Sequence, residues 1–228
     1  MYLASKSPQR KALLEALGLD FEIVLPDYDE VDEAGLLPAQ LVEQHSRGKA
    51  LSVAARVAPL MPGRPVLGVD TLVYAGGRAL GKAHDEATAR EYLRCMSGQV
   101  HVVYSGITLV SALPQGHAEH EELYNLTGEI ETVAGQEVVI DTRHATTDVR
   151  FARIDDAEID AYIATGEWRE RAGAYAIQGR ASAFVEEVAG DYTNVVGLPV
   201  PLMVEMLRET GLWPPREWGS TQDCLFRY

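Results

Sequence analysis

Apolar positions along the chain alternate between two spacings, and each change of spacing predicts a new element. Spacing of three to four residues predicts helices over residues 8–17, 38–57, 86–96, 155–165 and about 199–209. Alternating and β-branched stretches predict strands over residues 1–4, 21–25, 64–69, 72–75, 79–80, 100–110, 138–154, 174–178 and 183–188. This succession of strands and helices is typical of an α/β protein with mixed strand connections.

Polar residues and glycines at the predicted boundaries support the helices. Ser7 is a candidate N-cap and is followed by a proline, whose missing N–H costs nothing at the first helical position. Asp155 and Glu158 match a capping box, with Asp in place of Ser or Thr, and Gly166 is a natural end for that helix. Residues 111–136 are polar and acidic, and we expect them to form the tip of an extended hairpin.

The composition narrows the classes of function. With 228 residues, of which 46% are hydrophobic and 24% charged, the chain suits one larger domain or two small ones. A formal net charge of −14 argues against nucleic-acid binding, which needs a basic surface, but allows a small anionic ligand. The two cysteines, Cys95 and Cys224, are expected to be free thiols, and no segment has the pattern of a signal peptide or a membrane span. We therefore expect a cytoplasmic protein that does not bind membranes.

The first turn of the chain has the chemistry of an anion site. A strand breaks at Ser5 and leads into a helix, so that backbone N–H groups and the positive end of the helix dipole face one point. Ser7, Arg10 and two lysines lie within reach of that point, and a guanidinium can bind two phosphate oxygens at once. The alternative is an ordinary N-cap beside a solvated basic turn, since the stretch lacks the glycine-rich pattern of a Walker loop.

A second set of candidate residues follows the strand predicted over 64–69. Asp70 comes directly after it, at the place where open α/β sheets bind ligands, and can hold a metal or deprotonate a water. A turn-capping role for Asp70 is the alternative. Lys82 and Glu30 are placed by the predicted topology to reach the same crevice, which would give two carboxylates and a lysine around a polyphosphate.

The stretch AGAYAIQG, residues 172–179, offers a third feature. Its small residues allow a flat ligand to approach the backbone, and the amide of Gln178 can both donate to and accept from the edge of a base. Tight packing between strands explains the same pattern without a ligand.

Four segments of the chain resemble the Maf family, in the order found in that family. They are LASKSPQRKALL, LGVDTLVYAGGRALGKAHDEATAREYLRCMSGQ, AGAYAIQG and GDYTNVVGLP, and the likeness runs from Tyr2 to about Gly211. The resemblance implies an elongated mixed β-sheet with flanking helices and a central cleft, similar to inosine triphosphatase-like proteins. Together with the chain's own pattern, it predicts a domain over 1–212 with two lobes around the cleft. The acidic hairpin at 111–137 and a C-terminal tail over 213–228 are additions on which the resemblance has no bearing.

The activity implied by the resemblance is that of a nucleoside triphosphate pyrophosphatase. Such enzymes convert a nucleoside triphosphate to the monophosphate and pyrophosphate with a divalent cation, Mg²⁺ or Mn²⁺ in most cases, and many are homodimers. The resemblance implies that Asp70 is the proton acceptor and that Lys82 and Glu30 are further catalytic residues. From this set we expect Asp70 and Glu30 to be the metal ligands. The substrate-binding residues that follow from the opening turn and from the resemblance are Ser5, Ser7, Gln9, Arg10, Lys49, Thr71 and Gln178.

The resemblance also bears on the base. Thr71 and Gln178 are similar to the subgroup that acts on dTTP and UTP, which has Arg where this chain has Gln9. Ala83 stands where the family has Pro, and Ala176 where it has Gly. Three functions therefore stay open from the sequence: a dTTP/UTP pyrophosphatase, a pyrophosphatase for 7-methyl-GTP or other modified purine nucleotides, and a nucleotide-binding regulator without turnover.

Overall fold

The computed structural model describes residues 1–31, 35–58, 64–113 and 128–214. Its strands are β1 Tyr2–Ala4, β2 Glu22–Ile23, β3 Val66–Ala75, β4 Arg78–Leu80, β5 Val100–Ala112, β6 Glu129–Val133, β7 Gln136–Phe151 and β8 Val185–Ala189. Its helices are α1 Pro8–Ala16, α2 Pro38–Val57, α3 Glu86–Met96, α4 Asp156–Thr165, α5 Tyr192–Val196 and α6 Val200–Glu209, with a 3₁₀ helix at Arg180–Phe184.

These elements form one open mixed sheet with helices packed on it. The order across the sheet is β2-β1-β3-β5-β7-β6, while β4 pairs with β3 and β8 pairs with β7. Strand β1 is parallel to β2 and β3, and the other pairs are antiparallel. The α/β class with mixed connections is thereby confirmed. Within the described ranges, no helix has the length and apolar content needed to cross a bilayer.

The predicted capping residues lie at the ends of α1 and α4. Ser7 caps α1 and accepts a hydrogen bond from the backbone of Arg10. Asp155 and Glu158 form the expected capping box, and Gly166 ends α4 in the left-handed region with φ 73°. Each of these signals acts within one turn of the chain, which explains why the sequence suffices to read it.

Helix α2 lies directly on β3 and β5 because glycines face it. A Cβ atom on Gly68 of β3 would lie under 3.0 Å from the carbonyl oxygen of Ser46, and one on Gly106 of β5 would come equally close to the carbonyl oxygen of Val42. Only glycine lets the helix backbone come this near to the sheet. The close approach brings Lys49 of α2 to the part of β3 that carries the site.

Three apolar clusters hold the molecule together. The first packs α3 and α4 on the sheet, the second lies under α2, and the third joins α1 and α6 to β3 and β5. Strand β3 supplies Val66 to the second, Val69 to the third and Val73 to the first. Asp70 and Thr71 therefore lie on β3 where it passes from one cluster to another.

The prediction that a strand ends at Asp70 was wrong. Strand β3 continues through Asp70 and Thr71, because β5 pairs with both of them, through Gly106 and Ser105. It is β1 that ends here, at Ala4 opposite Gly68. The two polar residues thus lie beyond the end of β1, within a strand rather than after it.

Two other predicted elements differ. Residues 174–178 form turns instead of a strand, since Gly173 and Ala174 have φ values of 67° and 58° that a strand cannot contain. The segment 111–136 is more than a hairpin tip: β5 reaches Ala112, and Glu129–Val133 forms β6 against β7. The rest of that segment, residues 114–127, lies outside the described residues, as do residues 215–228 of the predicted tail and Cys224. The domain bounds of 1–212 and 213–228 stay a prediction.

Candidate active site

The opening turn is organised by two serine hydroxyls. The hydroxyl of Ser5, which is buried, accepts hydrogen bonds from the backbone N–H of Ser7 at 3.2 Å and from Nη1 of Arg10 at 2.9 Å. The hydroxyl of Ser7 donates to Oε1 of Gln9 at 3.1 Å. The turn from β1 to α1 is therefore held by its own side chains, and it carries Gln9 and Arg10 at fixed positions.

Arg10 connects this turn to β3 and to the turn before α6. Its Nε donates to the carbonyl of Gly197 at 2.8 Å, its Nη1 to the carbonyl of Val69 at 2.9 Å, and its Nη2 to the hydroxyl of Thr71 at 3.1 Å. Burial lowers the pKa of Arg10, and the negative charges of two nearby carboxylates, Asp70 and Glu30, partly oppose that shift. Arg10 is thus a partly buried cation close enough to the predicted catalytic carboxylates to feel their charge.

Two of the predicted carboxylates meet on one ammonium group. Nζ of Lys49 lies 2.6 Å from Oδ1 of Asp70 and 2.8 Å from Oε1 of Glu30. The side chains of Lys49 and Asp70 are only 10% and 14% exposed, while that of Glu30 is 53% exposed. The pair is therefore anchored at its buried end and open to solvent at Glu30.

The electrostatics of Glu30 show which cations share this site. Burial raises its pKa, but the hydrogen bond and charge of Lys49, together with the charges of Lys82 and His45, outweigh burial and lower the pKa below its ordinary value. Glu30 is thus kept ionised at neutral pH by three groups from two different parts of the chain.

The donor set fits a magnesium-type cation that also binds substrate. Asp70 and Glu30 bring oxygens within 2.8 Å of one position, now held by the ammonium of Lys49. Magnesium sites commonly use one or two carboxylates and complete their shell with water and substrate phosphates. Accordingly, no group of three or more His, Cys, Asp or Glu side chains in the described ranges is arranged to hold a metal by itself.

Lys82 lies at the open side of the site. Its Nζ is 3.3 Å from Oε2 of Glu170, and both side chains are largely exposed. Its backbone pairs with that of Ala172, and the N–H of Gly173 bonds to the carbonyl of Leu80 at 3.0 Å. These bonds tie the segment after β4 that carries Lys82 to the segment that carries Gln178.

The side chain of Gln178 is exposed, and hydrogen bonds to Glu167 and Tyr162 fix the turn that carries it. Oε2 of Glu167 accepts the N–H of Arg180 at 2.8 Å, and the hydroxyl of Tyr162 accepts the N–H of Ala176 at 3.0 Å. A Cβ on Gly179 would meet the carboxylate of Glu167, so a larger residue there would displace the side chain that accepts the N–H of Arg180. The amide of Gln178 is thereby left at the surface for a ligand.

Thr71 lies between Arg10 and β5 and is hydrogen-bonded to both. Its hydroxyl lies 2.9 Å from that of Ser105 and 3.1 Å from Nη2 of Arg10. Of the predicted residues, the structure therefore joins Ser5, Ser7, Gln9, Arg10 and Thr71 in one hydrogen-bonded group and Glu30, Lys49 and Asp70 in another. The charge of Lys82 helps to lower the pKa of Glu30 in the second group. The segment that carries Gln178 is linked to Lys82 through the backbone of Ala172.

Two residues that the sequence did not single out, Tyr28 and His45, border the carboxylate pair. The hydroxyl of Tyr28 lies 3.0 Å from Nδ1 of His45, and the two rings meet edge to face at 5.8 Å between centroids. His45 precedes Lys49 by four residues on α2, which places both on one helix face. That spacing was visible in the sequence. The contact with Tyr28, across a loop, was not.

Known proteins are similar to this chain over nearly its whole length. The model of the family "Maf-like protein" matches residues 1–210. A protein named dTTP/UTP pyrophosphatase from Pelotomaculum thermopropionicum is 38% identical over 209 residues, which cover 92% of this chain and 95% of that protein. One of the same name from Symbiobacterium thermophilum is 39% identical over 92% of this chain and 94% of its own, and one from Brucella abortus is 37% identical over 96% of both.

Among solved structures, a nucleoside-triphosphatase / dITP/XTP pyrophosphatase from Mycobacterium abscessus aligns with a TM-score of 0.35 and 15% identity. The alignment covers 92% of this chain and 96% of that one.

Proposed function

The chain belongs to the family of Maf-like proteins, and from this premise we propose that it is a nucleoside triphosphate pyrophosphatase that acts on dTTP and UTP. The proposal makes it a hydrolase of phosphoric anhydrides with a house-cleaning role in nucleotide metabolism. Relatives that carry this name match the chain over nearly its whole length, so the activity is proposed for the entire protein and not for a fragment of it.

One observation carries the proposal: Asp70 and Glu30 converge on a single cation near a partly buried arginine, Arg10. Both carboxylates lie within 2.8 Å of Nζ of Lys49, and both act on the pKa of Arg10. Positive and negative groups in this arrangement suit a polyphosphate bound together with a metal ion. A protein that only bound the nucleotide would not need the carboxylate pair.

The proposed reaction is attack of water on the α-phosphorus. The water oxygen bonds to phosphorus, the bond from phosphorus to the α,β-bridging oxygen breaks, and pyrophosphate leaves. Asp70 takes the proton of the attacking water, since it is fixed by Lys49 and largely shielded from solvent. Lys82, exposed and held only by a surface ion pair, turns toward the leaving pyrophosphate and neutralises its charge.

A divalent cation, Mg²⁺ or Mn²⁺, belongs to the proposal as the group that Asp70 and Glu30 would hold. When bound, it supplies charge neutralisation and a fixed orientation of the phosphate oxygens. Lys49 bonds to both carboxylates and holds them close together before the cation binds.

The first turn and the exposed turn bind the two ends of the substrate. The start of α1 offers the phosphates the positive end of the helix dipole, and Ser5 and Ser7 fix its first turn by hydrogen bonds. Arg10, whose Nε, Nη1 and Nη2 already donate within the protein, contributes its positive charge. Gln9, Thr71 and Gln178 contact the pyrimidine, whose edge carries both donors and acceptors. Gln9 offers an amide where related sequences of this type have a guanidinium, and a comparison of nucleotides tests what that exchange does.

A cytoplasmic location is part of the same proposal and agrees with the free thiol of Cys95. The homodimer implied by the resemblance stays a prediction.

The decisive experiment is a panel of nucleotides at equal concentration with Mg²⁺ or Mn²⁺. We expect dTTP and UTP to be cleaved fastest, with the monophosphate and pyrophosphate as products. Asp70→Asn should lower turnover by roughly 10²–10⁴-fold, because it removes the proton acceptor. Asp148→Asn, the same exchange at an exposed position of β7, serves as the matched control and should retain parental turnover.

Three outcomes would contradict the proposal. Release of orthophosphate would show a different bond cleaved. Fastest cleavage of 7-methyl-GTP or another purine nucleotide would move the protein to the alternative substrate class. Tight nucleotide binding without release of pyrophosphate would identify a regulator.

A further inference from the structure

We propose that the ring of Tyr28, seated on Gly48, positions the carboxylate of Glu30. The catalytic readout of this inference rests on the proposed function, whereas the contact itself follows from packing alone. We call Tyr28, His45 and Gly48 the Tyr28 seat.

Gly48 is an uncommon residue type for the interior of a helix. It lies in the interior of α2, where glycine costs about 1 kcal/mol relative to alanine. A Cβ atom there would lie under 3.0 Å from three ring carbons of Tyr28. The ring therefore rests on the bare helix backbone, and the glycine makes room for it.

His45 holds the other end of the ring. Its Nδ1 lies 3.0 Å from the hydroxyl of Tyr28, and the two rings pack edge to face. His45 is buried in α2, three residues before Gly48, so both contacts come from one rigid face of the helix. Tyr28 cannot turn away from an added methyl group without losing this hydrogen bond.

The seat fixes the loop that carries Glu30. Glu30 follows Tyr28 by two residues, and its side chain is half exposed, so the position of its backbone decides where the carboxylate lies. Lys49, its partner at 2.8 Å, is the next residue after Gly48. Gly48, which contacts the ring of Tyr28, and Lys49, which bonds to the carboxylate of Glu30, are therefore adjacent on α2.

This geometry makes Gly48 and Tyr28 positioning residues for the proposed metal ligand Glu30. Neither touches the reacting atoms in the proposed reaction. Their effect is to hold Glu30 where it and Asp70 reach one cation.

The test is Gly48→Ala. The added methyl group displaces the ring and with it Glu30, so we expect the Mn²⁺ concentration for half-maximal activity to rise about 10-fold, as for other residues that orient metal ligands. Thermal stability should stay near the parental value, because the preference of alanine for the helix offsets the lost hydrogen bond between Tyr28 and His45. Calorimetry of Mn²⁺ binding, in the presence of a dTTP analogue with nitrogen in place of the α,β-bridging oxygen, should show the same weakening without turnover.

Companion variants separate the seat from general damage. Tyr28→Ala should weaken Mn²⁺ binding as Gly48→Ala does, and Tyr28→Phe, which keeps the ring on Gly48 but loses the hydrogen bond to His45, should have an affinity between those of the parent and Tyr28→Ala. In the Tyr28→Ala background, Gly48→Ala should add nothing, because the ring it displaces is gone. Ala55→Gly makes the reverse exchange at an exposed position of α2 and should leave Mn²⁺ dependence unchanged.

Unchanged Mn²⁺ binding in Gly48→Ala, or effects of Gly48→Ala and Tyr28→Ala that add in full, would overturn the seat. If the parental protein cleaves none of the nucleotides but Gly48→Ala weakens Mn²⁺ binding to the analogue complex, the proposed function fails and the seat stands.

Discussion

At the scale of single residues, Lys49 governs the charge of the site. Its ammonium bonds to Asp70 and Glu30 at once, and its side chain is only 10% exposed, so the loss of either bond leaves a nearly buried charge with fewer partners, which is costly. Such an arrangement keeps two like charges close together before any ligand is bound. It also predicts how the site responds to pH.

Lys49→Met should raise the pKa of Glu30 in the metal-free protein. Burial raises that pKa, and the hydrogen bond and charge of Lys49 oppose burial more strongly than any other group does, so the pKa rises once Lys49 is gone. In the parent, the pKa of Glu30 in the folded state lies below its value of 4.5 in the unfolded state. Glu30 therefore contributes stability at pH values above 4.5, and this contribution is lost as the pH falls through the folded-state pKa. NMR titration of carbon-13-labelled carboxyl groups, with chelator present, measures the change.

Lys49→Arg, which keeps the charge, is the control and should hold the pKa of Glu30 nearer the parental value. Turnover of Lys49→Met should fall by about 10- to 100-fold, because the metal ligands lose their orientation. Identical titration of Glu30 in the Met variant and the parent would refute the role of Lys49 in the charge of the site.

At the scale of elements, the contact of α2 with the sheet decides where Lys49 stands. Gly106→Ala should destabilise the fold by about 1–3 kcal/mol, because the new Cβ would overlap the carbonyl oxygen of Val42 and the helix backbone must move to receive it. Urea unfolding measures the loss. The shift of α2 should also lower turnover.

Gly81→Ala is the comparison for this measurement, since no atom lies within 4 Å of a Cβ at Gly81. Its free energy of unfolding should stay near that of the parent. Equal unfolding midpoints for Gly106→Ala and Gly81→Ala would mean that the backbone of α2 does not rest directly on β5.

Elements set by local chemistry were predictable from the sequence, and those set by distant partners were not. The cap at Ser7 and the capping box at Asp155 depend on residues within one turn. The polar residues Asp70 and Thr71 looked like a strand end, because the sequence does not show that β5 pairs with them. Residues 174–178 looked like a strand, because positive φ angles leave no mark on an apolar pattern.

The site follows the same division. Strand-to-helix chemistry pointed to Ser5 and Arg10 from the residues themselves, whereas Lys49 was assigned through family resemblance. Its place between two carboxylates comes from the packing of α2 on β3, which requires Gly68. The role of Tyr28 depends on a contact across twenty residues of chain, and no local pattern encodes it.

At the scale of the whole molecule, the site takes its residues from elements that pack in different apolar clusters: the helix of Arg10 belongs to the third, and the segment of Gln178 belongs to the first. Arg10 links α1 to β3 and to the turn before α6, and the bonds of Gly173 link the turn of Gln178 to the strand before Lys82. A ligand that contacts all of these groups adds connections between the clusters. Its binding should therefore be visible in the stability of the entire chain.

We expect the uncleavable dTTP analogue with Mn²⁺ to raise the melting temperature of the parent. At a concentration of 100 times Kd, binding contributes about 2.7 kcal/mol, which corresponds to a shift of roughly 5–10 °C for a protein of this size. The shift should shrink when chelator replaces Mn²⁺ and when Asp70→Asn removes one carboxylate, while Asp148→Asn should keep it, because that residue lies on the exposed face of β7. Differential scanning calorimetry provides the measurement. A shift of the same size with chelator, or in Asp70→Asn at equal concentrations, would mean that the analogue binds without the carboxylate pair, and the proposed convergence of phosphates, metal and Asp70 would be wrong.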